Sequence, residues 1–307
     1  MNISQNTRKI LSSVITAICI TIICFFVYKD KDSFANAFKE LNLPLFSIII
    51  LTIIIQIYCR IIRDHRIYRL LGQETRLRSL NLIYAKQNIL NYLPMKAGTI
   101  YASAALKNEF GLPLKKFFYA FIAQNILTVA ITLFMALIAF ASLQPHVFQS
   151  TEFVIVLFCL FILFVTFGAL IKYNKIKFTK IGRISDAVGR GLSLFNSNPS
   201  VFKEILTLNF ISIAATSLRY SIFLMLFTKY FSISSGIIYA ASGFVSLFLS
   251  ITPAGLGIRE SIFSLTSVAL QSDPSLGLAI SAIERVLILS IMFLIIITEN
   301  IIRRLPK

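Results

Sequence analysis

The chain has 307 residues, 57% of them hydrophobic and 14% charged, with 30 Lys and Arg against 13 Asp and Glu and a net charge of +17. That apolar share exceeds the norm for soluble domains and excludes a sizeable soluble catalytic domain, which needs roughly 100 residues of its own. The positive charge does not indicate nucleic acid. Lysines and arginines gather at the ends of apolar segments, where anionic headgroups and the positive-inside rule account for them.

A helix needs about 20 apolar residues to cross the hydrocarbon core. The first candidate, 10–28, is read as a span rather than a cleavable signal, because it is long enough and lacks a small-residue cleavage site. The second, 44–61, leads into Arg60, Arg63, Arg66 and Arg69, a helical cationic stripe expected to touch anionic lipid. Two short apolar pieces follow, 80–93 and 98–106, split by Asn91-Tyr92-Leu93-Pro94-Met95-Lys96-Ala97-Gly98. Then come spans at 117–142 and 153–171, a basic loop at 172–204, and a span at 205–226. A second short pair, 237–251 and 256–270, is split by Thr252-Pro253-Ala254-Gly255-Leu256-Gly257-Ile258-Arg259-Glu260, and a last span covers 275–297.

The basic residues fall mostly on one side if six segments cross, which places both termini in the cytoplasm of a cytoplasmic (inner) membrane. If 80–93 crossed alone, the basic loop at 172–204 would lie outside. At 1.5 Å per residue that piece is also only ~21 Å long, short of a ~30 Å core. It is read as a re-entrant hairpin entering from the cytoplasm. The second pair satisfies the charge parity either as a hairpin from outside or as two full crossings; the hairpin is favoured because it mirrors the first. The expected fold is an all-α polytopic membrane protein, a single integral membrane domain over 1–307. It has about six transmembrane helices and two Pro/Gly-broken hairpins in inverted half-repeats at 44–142 and 205–302.

Such interruptions point to a polar substrate. Irregular backbone survives at membrane depth only where it is buried in protein or lines a wet cavity. Arg219 and Arg285 fall near the middle of their spans, and an ionisable group there is a functional-site hypothesis by default. With Lys96 and Arg259 they outnumber Glu260 and Glu284 by two charges. A visiting phosphate would balance such a surplus, with the glutamates orienting the arginines. The turns at Pro94, Gly98, Pro253, Gly255 and Gly257 would present bare N–H groups where helices restart. The bland alternative is mutual neutralisation of Arg259–Glu260 and Glu284–Arg285 between helices. Cys19, Cys24, Cys59 and Cys159 sit in or beside apolar spans, and His65 and His146 fall on opposite sides, so no disulfide, metal site or cofactor is expected. No catalytic constellation is visible, and the chain is not expected to be an enzyme.

The second interruption resembles the Pro-Gly-Gly-x-Gly-x-Arg-Glu signature of the lysylphosphatidylglycerol synthase transmembrane-region family, also called flippase-like domain proteins. Leu93-Pro94-Met95-Lys96-Ala97-Gly98 resembles that family's Leu-Pro-x-x-x-Gly element, and order, spacing and length agree over nearly the whole chain. The resemblance implies a protein that moves or presents phospholipids or isoprenoid-linked glycolipids. It implies a stand-alone member without the fused aminoacyl-transfer domain, so lysylation of lipid by this chain alone is not expected. It also implies glycan- or glycolipid-synthesis membrane proteins as partners beside the membrane lipids. Where relatives often carry an acidic residue and then an arginine, this chain has Thr99 and Ala102, and Gln124-Asn125 replaces an acidic–arginine pair in the next span. Expected functions are thus lipid translocation, a non-transporting partner role in glycan synthesis, or an integral-membrane transferase.

Overall fold

The computed structural model describes residues 43–93, 97–143, 198–249 and 252–304. The expected spans at 10–28 and 153–171, the loop as far as residue 197, and the turn residues Pro94 and Lys96 lie outside the described residues.

The described chain is helical, with no strand among the described residues. Helix α1 (Leu43–Leu70) leads to a hairpin of α2 (Leu77–Leu90) and α3 (Ala97–Phe110), followed by α4 (Leu114–Leu143). The second half repeats that order: α5 (Pro199–Thr228), a hairpin of α6 (Ile233–Leu249) and α7 (Ile258–Ala269), then α8 (Pro274–Arg304). Four of these helices, α1, α4, α5 and α8, are long and apolar enough to cross a membrane. Their outward faces carry exposed Leu51, Phe134, Ile138, Phe210, Val286 and Leu294, a surface suited to lipid rather than water.

Each long helix outruns its apolar window, because helical residues continue past the point where charge begins. The largest extension is in α1, which carries on through Arg60 to Arg69. At the other boundary α5 begins at Pro199, inside the expected loop. Asn198 accepts the Val201 N–H at 3.4 Å and proline occupies the first turn, two strong helix-start signals.

Helix α8 serves as a ruler for the two hairpins. Near its far end Glu299 meets Arg78 at the start of α2, 2.6 Å apart. Near its middle Arg285 donates to the carbonyls of Ala254 and Gly255 in the second turn, at 3.1 and 3.3 Å. Near its start Ser264 of α7 donates to the Pro274 carbonyl at 3.0 Å. The hairpins therefore lie along opposite halves of α8 and their turns meet between them, where the Ala254 N–H donates to the Asn91 carbonyl at 2.8 Å. Two full crossings for α6 and α7 do not fit this geometry: the turn stops at mid-helix. The packing exchanges partners between halves, with α4 against α6 and α8 against α2.

Close approach depends on three glycines, Gly98, Gly236 and Gly277. A Cβ on Gly98 would overlap the Gln87 carbonyl oxygen, and one on Gly277 would overlap the backbone carbonyl of Phe263. Gly98 thus joins α3 to α2. Gly277→Ala is expected to push α7 off α8 and destabilise the fold by about 1–3 kcal/mol, since backbone cannot yield as a flexible side chain can. A thermal melt in detergent, compared with a substitution at lipid-facing Leu294, checks this.

Candidate functional site

The ionic centre begins at Glu284 on α8, which is only 1% exposed. Its Oε1 accepts from Arg219 Nε and Nη2 of α5 at 3.0 and 2.6 Å. Its Oε2 accepts from the Tyr220 hydroxyl at 2.7 Å and also from Arg259 Nη2. Arg259 in turn donates to the Tyr220 oxygen at 3.0 Å and lies over the Phe263 ring. One carboxylate thus holds two arginines that come from α5 and from the start of α7.

Arg219 is fully buried; its Nη2 also donates to Gln56 Oε1 of α1 at 2.8 Å, and its Nη1 has no hydrogen-bond partner among the described residues. Expected to hold substrate, Arg219 instead lies behind Glu284 and outside the cavity lining.

Arg285 and Glu260 form a separate pair, 2.7 Å apart. Arg285 spends its other donors on the turn carbonyls, and Glu260 Oε2 accepts the Gly257 N–H at 2.8 Å, capping α7. The turn's other amides are also used: Ala254 N–H by Asn91 and Gly255 N–H by the Thr252 carbonyl at 3.0 Å. Ala254, Gly255 and Gly257 take φ values of 49, 69 and 82°, the left-handed region that glycine tolerates and alanine does not without a cost of about 1–2 kcal/mol. The Asn91 contact supports Ala254 there. The amides at Gly255 and Gly257 are therefore occupied by the protein, and this pair fastens the second turn in place.

A cavity of about 200 Å³ opens beside Glu284 and Arg259. It runs along α1 from Ile53 to Tyr68, about 22 Å of helix, and is walled by α2, α4, α5 and α8. Among its lining residues are Gln56, Arg60, Arg63, Asp64, Tyr84 and Gln124. Of the sequence-predicted arginines only Arg259 reaches it.

Two residues of the expected surface stripe are inside instead. Arg63 is 8% exposed and donates to Thr128 Oγ1 at 3.4 Å and to Asn209 Oδ1. Arg60 lies 4.4 Å from the centre of the Tyr84 ring and 4.0 Å from Asp64. Arg66, by contrast, is half exposed and pairs with Glu204 at 3.0 Å. Their period along α1 was legible, but the packing of α4 and α5 over that face was not. Lining the cavity, Arg60, Arg63 and Arg259 stand against Asp64 and Glu284, with Arg219 behind Glu284 and outside the lining.

Helices of membrane-spanning length, hairpins that stop at mid-helix and a cationic cavity between them define a multi-pass membrane protein with a polar cavity among its helices. The family model described as the lysylphosphatidylglycerol synthase TM region matches residues 10–296, and the chain belongs to that family. No curated protein and no solved structure matches the chain significantly.

Proposed function

We propose that the protein binds the phosphate-bearing headgroup of a membrane lipid in this cavity and passes it across the bilayer. An anionic phospholipid or a polyprenyl-phosphate-linked glycolipid has the required chemistry. The observation that carries the reading is Arg259: it lines the cavity, its Nε has no hydrogen-bond partner, and it shares its only carboxylate with Arg219. An arginine held that way keeps donors beyond the Nη2 spent on Tyr220 and Glu284 for an oxyanion, while those two groups fix its direction.

The size of the cavity agrees with a headgroup rather than a whole lipid. A cavity of about 200 Å³ has room for a small polar group. The chains would stay in the surrounding lipid, beside the exposed apolar faces. Movement would be downhill or ion-coupled, because the sequence carries no nucleotide-binding motif. In this reading the basic segments face the cytoplasm, in a cytoplasmic membrane, and catalysis plays no part.

Reconstituted vesicles with a fluorescent phosphatidylglycerol test it. Wild-type protein is expected to expose inner-leaflet probe to an external quencher, and Arg259→Ala to slow that exposure at least tenfold. Inert wild-type vesicles would point instead to a lipid-binding partner of a glycan-assembly complex.

A further inference from the structure

We propose that Arg63, flanked by Arg60, forms a second anion-binding station in the cavity, about 10 Å along α1 from the Arg259–Glu284 centre, for a phosphate group. The proposal deepens the headgroup reading, because it gives the lipid phosphate a place to rest before it reaches Arg259. The separation follows from helix rise: Gln56 touches Arg219 at the centre, and Arg63 lies seven residues further on.

Three observations carry it. Arg63 is a cation more than nine-tenths buried whose acceptors, Asn209 Oδ1 and Thr128 Oγ1, are both neutral. A charge withdrawn from water without a counter-charge is costly, so an anion at this point is strongly favoured. Second, Asn209 and Thr128 both bind on the Nη1 side, and the Nε of Arg63 has no partner. That leaves the Nε edge of the guanidinium, with which arginine takes phosphate oxygens, unpartnered and buried beside the cavity. Third, Asp64 is the only carboxylate lining this end of the cavity, and it lies 4.0 Å from Arg60, not within ion-pair distance of Arg63. The rest of that wall is Tyr84, Gln87, Asn88, Gln124 and Asn125, neutral groups that tolerate a visiting anion.

Asn209 is the positioning residue. It is fully buried, donates to the Ile205 carbonyl at 2.9 Å and accepts from Thr128 at 2.9 Å, so its oxygen is aimed at Arg63 and its rotamer is fixed. With Nη1 anchored, the free edge of Arg63 keeps one direction.

The test uses the full-length protein in detergent, titrated with dihexanoyl-phosphatidylglycerol, dihexanoyl-phosphatidylcholine and inorganic phosphate, reading both affinity and the ligand-induced rise in melting temperature. Wild type is expected to bind the anionic lipid in preference to the zwitterionic one. Arg63→Gln should weaken that binding at least tenfold and remove most of the thermal rise, while Arg63→Lys restores part of it. A purely structural Arg63 would lower the melting temperature equally with and without lipid and leave the affinity unchanged, and that result overturns the proposal. Asn209→Ala provides a second variant should Arg63→Gln fold poorly; it should weaken binding with Arg63 still present. If inorganic phosphate alone binds and loses affinity in Arg63→Gln, the station stands but serves free phosphate. If Arg63→Gln loses binding while Arg259→Ala still translocates normally, the station stands and the role given to Arg259 fails. If wild type binds none of the anions, both fail.

Discussion

Glu284→Ala is expected to be the most damaging single change in the protein. It removes the acceptor shared by Arg219, Arg259 and Tyr220, and it does so where Arg219 is fully buried. Two cations would then face each other across the space left by the side chain. Removing one partner from a buried ion pair costs about 3–5 kcal/mol, and here the deletion strands two. The expected outcome is a fall in melting temperature of roughly 10 °C or more, or loss of folded protein in detergent extracts. Glu284→Gln separates charge from hydrogen bonding. It keeps an oxygen for Tyr220 but no charge, and it should fall between wild type and alanine. Arg219→Met added to Glu284→Gln removes one stranded cation and should recover part of the loss. If Glu284→Ala melts like wild type, the three-way contact does not hold the helices together.

The interruptions were legible because proline, glycine and charge stand out against an apolar run, and lipid tolerates none of them uncovered. Pro253, Gly255 and Gly257 stood out in the sequence and lie between α6 and α7, and Arg219, Glu284 and Arg285 stood out as charges within apolar spans. What the sequence could not reveal was which charges share a partner. Glu284 and Arg285 are neighbours in the chain, yet helical geometry points them in different directions, one to α5 and one to the turn. The same limit hid Arg60 and Arg63. A basic residue at the end of an apolar run reads as a headgroup anchor, and only the packing of α4 and α5 over that face of α1 makes it interior. Tyr220 was missed for a related reason: its hydroxyl matters only through two groups from distant helices. Gln124 and Asn125, noticed as departures from the family pattern, prove to line the cavity. With neutral amides where relatives often place charge, Arg60 and Arg63 are the cations at that end.

Arg285→Ala should release the second turn without disturbing the Glu284 centre. Arg285 neutralises Glu260 and donates to the carbonyls of Ala254 and Gly255, so its loss leaves a buried carboxylate and two under-satisfied acceptors. Glu260 keeps the Gly257 amide and a weak 3.3 Å donation from Ser281, which together do not replace a guanidinium. A loss of about 3–5 kcal/mol is expected for the broken pair. Hydrogen exchange separates this local effect from global unfolding. The amides of Ala254 and Gly257 should exchange much faster, while those in the middle of α5 change little. Glu260→Gln combined with Arg285→Met removes both charges and should regain stability relative to Arg285→Ala, though not the tethering of the turn carbonyls. Because the Ala254 N–H also joins this turn to Asn91, the double variant should still loosen the contact between the two hairpins. If the turn amides stay protected in Arg285→Ala, the second turn is held by its own backbone geometry and the arginine is dispensable for it.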